Sequence, residues 1–256
     1  MADSIVSPRP SRIISRVAEL HRMLEEAGLT LEDLQRPIDD REFRSQLVEF
    51  WQSGTKWRFG AGDWETHYGI VPLEVPEFPW SDDILNAPCQ FIEGKRVKDT
   101  HFAFLGLSGV GSEPLTIMKL HELHPPKRQP RFYVPATEAW YNEQVFATQA
   151  TCRVRWYLML AQAVPGSTRK SYQDQKAMLP PEYEVPLVVE RATMNLLYYR
   201  KFDRYPDTAI WARCQDVDSY DRRVFVHSFS ESVDVTHWDD DPRSRIGVAA
   251  SRKSGA

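Results

Sequence analysis

Apolar residues recur along this chain with two periods, and the switch between them outlines the expected elements. Ile13, Ile14, Val17, Leu20, Met23 and Leu24 fall three and four residues apart, the spacing of one helix face, and Gly28 ends the run. Thr30 caps a short second helix over LEDLQ that stops at Pro37. Asp39 or Asp40 caps a third over REFRSQLVEFWQSG, with Phe43, Leu47, Phe50 and Trp51 on one face and Gly54 at its end. Residues 1–54 therefore read as an N-terminal helical unit behind a proline-broken lead-in over 1–12.

Beyond Gly54 the periodicity weakens. Residues 55–88 are rich in aromatics and proline, which removes a donor and restricts its predecessor, so they are expected to wrap over a core with one short helix near 82–86. The stretch THFAFLGLSGVGSEPLTIMKLHEL predicts two antiparallel strands around a glycine-rich loop. TEAWYNEQVFATQA predicts a helix capped by Thr137, with Trp140, Val145 and Phe146 as its apolar contribution. From Thr151 the order becomes informative. CRVRWYLMLAQAV is strand-like, and residues 167–186 give a helix capped by Ser167 or Thr168 and a double-proline corner. LVVERATMNLLYYRK is a strong helix, with Val188, Ala192, Leu196 and Tyr199 on one side and Pro186 at its start. AIWARCQD, RRVFVHSF and IGVAASRK are further strands. The outline is an α+β chain in three parts: the helical unit at 1–54, a proline- and aromatic-rich connector with a β-hairpin and a helix at 55–150, and a C-terminal domain at 151–256.

Composition narrows the classes of function. With 256 residues, 42% hydrophobic and 27% charged, the chain can bury a proper core. A formal net charge of -4 gives no global basic field, so binding nucleic acid through bulk charge is disfavoured. No apolar run of spanning length and no signal-peptide core is visible, which predicts a cytoplasmic protein without membrane attachment. Cys89, Cys152 and Cys214 are odd in number, far apart and outside any CxxC pairing, the pattern of reduced core thiols.

Several motifs invite a sharper reading. LEEAGLTLEDL resembles the first half of a helix-turn-helix, but the residues after Pro37 are acidic and no basic recognition helix follows. A nucleic-acid binder would have to cluster Arg12, Arg16, Arg22, Lys127, Arg128 and Arg131 on one side. GLSGVGSEP suggests a phosphate cradle, yet no lysine follows it and no helix is expected after it. His121 and His124 lack the i, i+4 spacing of a zinc-protease helix and have no evident third ligand.

The element order after Thr151, with LPPEYEVPLVVE where the second helix starts and GVAASRK as the last strand, resembles the C-type-lectin-like fold in its compact prokaryotic version. Formylglycine-generating-type domains and the variable proteins of diversity-generating retroelements share that version. The wording WYLM, STRKSY, MLPPEYEVP and GVAASRK is also similar to a group of uncharacterised bacterial proteins. The resemblance covers about residues 151–253 and implies that the first and last strands pair, placing 155–160 beside 246–253. It further implies that ligands bind the face made by the late strands and their loops: Trp211, Arg213, Phe225, His227, Phe229, Glu231, Asp234, Thr236, His237, Trp238, Asp239, Asp240, Arg243 and Arg245. Exposed aromatics and arginines give large contact area at modest ordering cost.

In calcium-dependent lectins a tryptophan followed by Asn-Asp supplies metal ligands, so HWDDD keeps calcium as an alternative, with no other cofactor expected. A calcium site needs oxygens from more than one segment, and the nearby DVDSYD is explained by turn chemistry. An oxidase of the formylglycine-generating type needs a close pair of redox-active cysteines, which nothing marks here. Ser228, Ser230, His227 and His237 show no nucleophile elbow or triad spacing. In RVFVHSF, Val224, Val226 and Ser228 point one way and Phe225, His227 and Phe229 the other; valines on the core would leave two aromatics and a histidine displayed. The resulting expectation is a non-catalytic binding module that offers residues 211–245 to a protein partner. An enzyme on the same fold and a nucleic-acid-binding regulator are the alternatives.

Overall fold

The computed structural model describes residues 57–133, 139–206, 209–239 and 241–254; the helices expected over 1–54, the Thr137 cap and Asp240 lie outside them. Thr55–Ala256 forms one compact unit. Strand β1 (Arg58–Phe59) leads into α1 (Ala61–Tyr68), where the Asp63 carboxylate accepts the Gly60 N–H at 2.8 Å and Gly69, at φ 67°, closes the last turn. Short helices α2 (Asp82–Asn86) and α3 (Val97–Thr100) precede β2 (His101–Leu105). Then come a two-residue hairpin, β3 (Gly109–Val110) and β4 (Glu113–Pro114), and helices α4 (Ile117–Leu123) and α5 (Val145–Thr148). The remaining elements are β5 (Trp156–Leu160), α6 (Tyr172–Ala177), β6 (Tyr183–Glu184), α7 (Val188–Phe202), β7 (Trp211–Val217), β8 (Arg223–Ser228), β9 (Val233–Trp238), β10 (Ile246–Val248) and β11 (Ser251–Arg252). The class is α+β, as the sequence pattern indicates.

Two sheets carry the architecture. One has the order β1-β2-β5-β11-β6, the other β10-β7-β8-β9. The expected pairing of first and last strands is present: Ser251 and Arg252 lie antiparallel to Met159 and Leu158. Because β1 and β2 belong to the same sheet as β5, β6 and β11, the expected division at residue 150 runs through continuous hydrogen-bonded structure. The aromatic segment wraps one side of that sheet, as anticipated: the Trp156 indole N–H donates to the Pro76 carbonyl at 2.9 Å and meets Phe78 at 5.1 Å.

Helix α7 packs against both sheets. Phe102 of β2 contacts Tyr198 and Phe202. The Arg191 guanidinium donates to the Leu160 and Ala161 carbonyls at 2.7 and 2.8 Å. On the other sheet, the Asn195 amide donates to Ser228 Oγ at 2.7 Å, and the Asp216 carboxylate of β7 accepts the Val188 N–H at 2.6 Å. Every residue from 188 to 197 is consequently buried, including Glu190, Arg191, Thr193 and Asn195. The one-sided apolar stripe expected for this helix therefore understates its contacts, because polar side chains with fixed partners occupy its other faces.

Three expectations are corrected. The segment after Leu105 is not a second long strand: Thr116 caps α4 by accepting the Lys119 N–H, and Ile117, Leu120 and His124 bury at helical spacing. Of the stretch expected to be helical from Thr137, the described residues 139–150 hold only α5 as helix, and Trp140 sits in a turn with its indole N–H donated to Val235 O at 2.9 Å. IGVAASRK is two strands in two sheets, since Ala249 N donates to Arg213 O while Ala250 O accepts from Leu160 N. This crossing explains the small residues: a Cβ on Gly247 would lie 2.6 Å from Ser167 Oγ.

Candidate binding surface

Strand β9 occupies residues that the sequence reading left as loop, and its register with β8 sorts the side chains. Val224 opposes His237, Val226 opposes Val235 and Ser228 opposes Val233, while Arg223 opposes Trp238, Phe225 opposes Thr236 and His227 opposes Asp234. Opposed residues share a face. The valines turn to α7 as expected, with Val224, Val226, Val233 and Val235 all in the main core.

The opposite face is an aromatic stripe. Trp211 stacks on Phe225 with centroids 5.1 Å apart and lies 5.0 Å from His227. His227 meets Phe229 at 4.3 Å, and Phe229 lies 6.0 Å from Tyr133. Burial divides it. Arg213 and Phe225 are fully buried and His227 nearly so, which corrects the expectation that these three are displayed. For Arg213 the cause is α6: its guanidinium donates to Gln175 Oε1 at 3.1 Å, while the Gln175 amide donates to the Ser167 and Ile246 carbonyls. Trp211, Asp234 and Thr236 are half-buried, as is His237, which the register opposite Val224 puts on the other face, against Trp140 at 4.3 Å, correcting its place on this surface; Glu231, Asp239, Arg243 and Arg245 are exposed. Phe229 and Trp238 keep 41% and 42% of their surface exposed.

Phe229 and Trp238 each sit beside an arginine-bearing segment. Beside Phe229, the Arg131 guanidinium donates to the Glu231 carboxylate at 2.7 Å and to the Glu231 carbonyl, tying the 129–133 segment to the 229–232 turn. Arg243 lies over the Trp238 ring at 4.7 Å, a cation–π contact, with Asp241 at 3.9 Å. Sequence reasoning missed Tyr133 and Arg169 and weighed Arg131 only as a nucleic-acid contact; all three arrive through long-range pairing.

Electrostatics around β9 is uneven. Burial pushes the Asp234 carboxyl up to about 6. Burial and the Arg222 guanidinium, which donates to Nε2 at 3.2 Å, hold His237 below the ordinary histidine value. Burial pulls Asp218 upward, but the Arg222 side chain and the 222 and 220 amides together keep it below the usual carboxylate range. The DVDSYD stretch is thus a self-satisfied turn with Asp221 at φ 60°. Among the described residues no group of three His, Cys, Asp or Glu side chains is placed to hold a metal.

The other sequence candidates resolve as structural groups. His124 is buried, with Nδ1 2.7 Å from Leu120 O and Nε2 2.8 Å from the Tyr68 hydroxyl, so both nitrogens are committed; His121 packs against Phe132. GLSGVGSEP forms the β3–β4 hairpin, and a helix does follow it, contrary to expectation, but Thr116 caps that helix. Lys127, Arg128 and Arg131 are described, whereas Arg12, Arg16 and Arg22 are outside the described residues. The three cysteines are free and buried, and burial raises Cys152 and Cys214 far above thiolate range. A groove of about 700 Å³ near the start of α7 is lined by Gln144, Phe146, Leu187, Asp216, Val217 and Asp218, among others, with no histidine or cysteine among its described residues.

No family model, curated protein or solved structure matches this chain. Among the described residues no helix is long and apolar enough to cross a membrane.

Proposed function

We propose that this protein is a non-catalytic binding module that docks a protein partner on the outer rim of the β8–β9 sheet. Phe229 with Tyr133 anchors one end and Trp238 with Arg243 the other. Supporting this reading is the exposure of Phe229 and Trp238 on one sheet face, Phe229 against His227 and Tyr133 beside a turn tied down by Arg131, and Trp238 under Arg243. Pre-fixed aromatics lose little freedom on association, which favours affinity. The buried centre of the stripe, Phe225 and Arg213, then serves as a rigid floor, and recognition is confined to the rim.

The lectin-like reading of residues 151–253 is retained as part of this proposal and draws support from the β5–β11 pairing. Three reduced, buried thiols suit a cytoplasmic setting. Affinity purification of the full chain from its native cells, beside a Phe229→Ala, Trp238→Ala variant of equal stability, tests the proposal. The expected result is a protein recovered with wild type and lost with the variant. Equal recovery with both would refute the rim as the contact surface.

A further inference from the structure

The Trp238 end of this rim carries a second feature that the aromatic stripe does not explain. Two loops distant in sequence meet there, where the Arg169 N–H donates to the Arg243 carbonyl at 2.8 Å; the second loop then runs on to Arg245, whose carbonyl accepts the Trp211 N–H at 2.7 Å at the start of β7. The first loop contributes Arg169 and Lys170, the second Arg243 and Arg245. Arg169, Arg243 and Arg245 are exposed and Lys170 half-buried. Arg169 is also held at φ 59°, a left-handed backbone conformation uncommon for a residue with a side chain. Among the described residues, Arg243 has Asp241 at 3.9 Å, while Arg169, Lys170 and Arg245 have no carboxylate within ion-pair distance. In a chain of net charge -4, the two joined loops gather four cations. Trp238 lies under Arg243 and opposite Arg223 in the β8–β9 register.

We propose that this two-loop patch recognises an acidic segment of the protein partner, with carboxylates on Arg169, Arg243 and Arg245 and an apolar side chain of the same segment on Trp238. The assignment rests on the binding-module reading above and specifies the chemistry of its partner. Guanidinium groups suit carboxylates because their donors are arranged in a planar fork. Arg243 is oriented by its stacking on Trp238, so less freedom is lost when it engages an anion. The aspartates of the same loop discriminate between anions. Asp239 and Asp241 are exposed beside the cations, and a nucleic-acid strand, with a phosphate at every residue, would bring charges against them. A peptide can place one or two carboxylates on the arginine side alone.

A fluorescein-labelled peptide alternating glutamate and leucine tests this by fluorescence anisotropy with the full chain. Its comparators are the same peptide with lysine for glutamate and a single-stranded oligonucleotide. The glutamate peptide is expected to bind best and to weaken at least about tenfold in an Arg169→Glu, Arg245→Glu variant. It should also weaken as salt rises from ~50 to ~300 mM. Both substituted side chains lie outside the core, so an unchanged urea midpoint shows that the variant folds. No saturable binding of the glutamate peptide, equal binding to the variant, or tighter binding of the oligonucleotide would overturn the assignment. Partner recovery separates the two readings. If charge reversal leaves recovery intact while the Phe229→Ala, Trp238→Ala variant abolishes it, the acidic segment is wrong and the binding module stands; intact recovery with both variants removes both.

Discussion

Acidification should destabilise this fold partly through His124. The ring is 2% exposed, and burial pushes its pKa down to about 4 from 6.5, with the Leu120 carbonyl opposing and Arg200 assisting. The geometry explains why the neutral form is held: Nδ1–H donates to Leu120 O, leaving Nε2 to accept the Tyr68 hydroxyl proton. A histidine depressed in the folded state is protonated first in the unfolded chain. Its contribution is therefore fully present above pH 6.5 and is lost as pH falls through that value toward 4. Between pH 7 and 5 the loss is about 2 kcal/mol, from linkage at these two pKa values. The raw profile cannot be read for one group, because His101 is held near 4 in the same way, while Asp234, raised to about 6, gains stability on acidification. Urea unfolding of wild type and His124→Gln at both pH values isolates the term. The variant is expected to be less stable at pH 7, and its deficit to shrink by about 2 kcal/mol at pH 5. A deficit unchanged between the two pH values would refute a neutral, buried His124.

Three further outcomes follow from the packing. Gly247→Ala should cost about 1–3 kcal/mol in urea unfolding, because its new Cβ meets Ser167 Oγ at 2.6 Å and Ala163 Cβ at 3.1 Å. Asp216→Ala should lower the thermal midpoint by removing the carboxylate that accepts the Val188 N–H, at about 1 kcal/mol for a lost helix-start bond. Cys152 and Cys214 should resist a thiol-specific reagent in the folded protein and react once urea unfolds it; rapid labelling of either in the native state would contradict their burial.

What could be read from the sequence depended on how local its cause was. The helix at 188–202, the short one at 82–86 and the strands at 156–160, 211–217 and 223–228 carry their own signals in apolar period, caps and β-branched runs. β9 was lost because Asp234, Thr236 and His237 resemble loop chemistry, although Val233 and Val235 alternate into the core; its six-residue pairing with β8 decides the matter. LTIMKL was misread as strand because a short apolar run fits both periods until the Thr116 cap is weighed. At the candidate surface, alternation in RVFVHSF gave the facing of each side chain correctly but not its burial. Arg213 is covered by Gln175 from a helix about forty positions away, a relation no periodicity encodes. Arg169 belongs to the stretch STRKSY, yet its neighbour Arg243 comes only through tertiary contact.

Hydroxyl-radical footprinting of the full chain, with and without the partner recovered from native cells, tests the contact surface most directly. The account predicts that oxidation of Trp238 and Phe229 falls sharply in the complex while that of Leu73, fully exposed in another segment, does not change. Equal oxidation of Trp238 and Phe229 in the free and bound protein would contradict it.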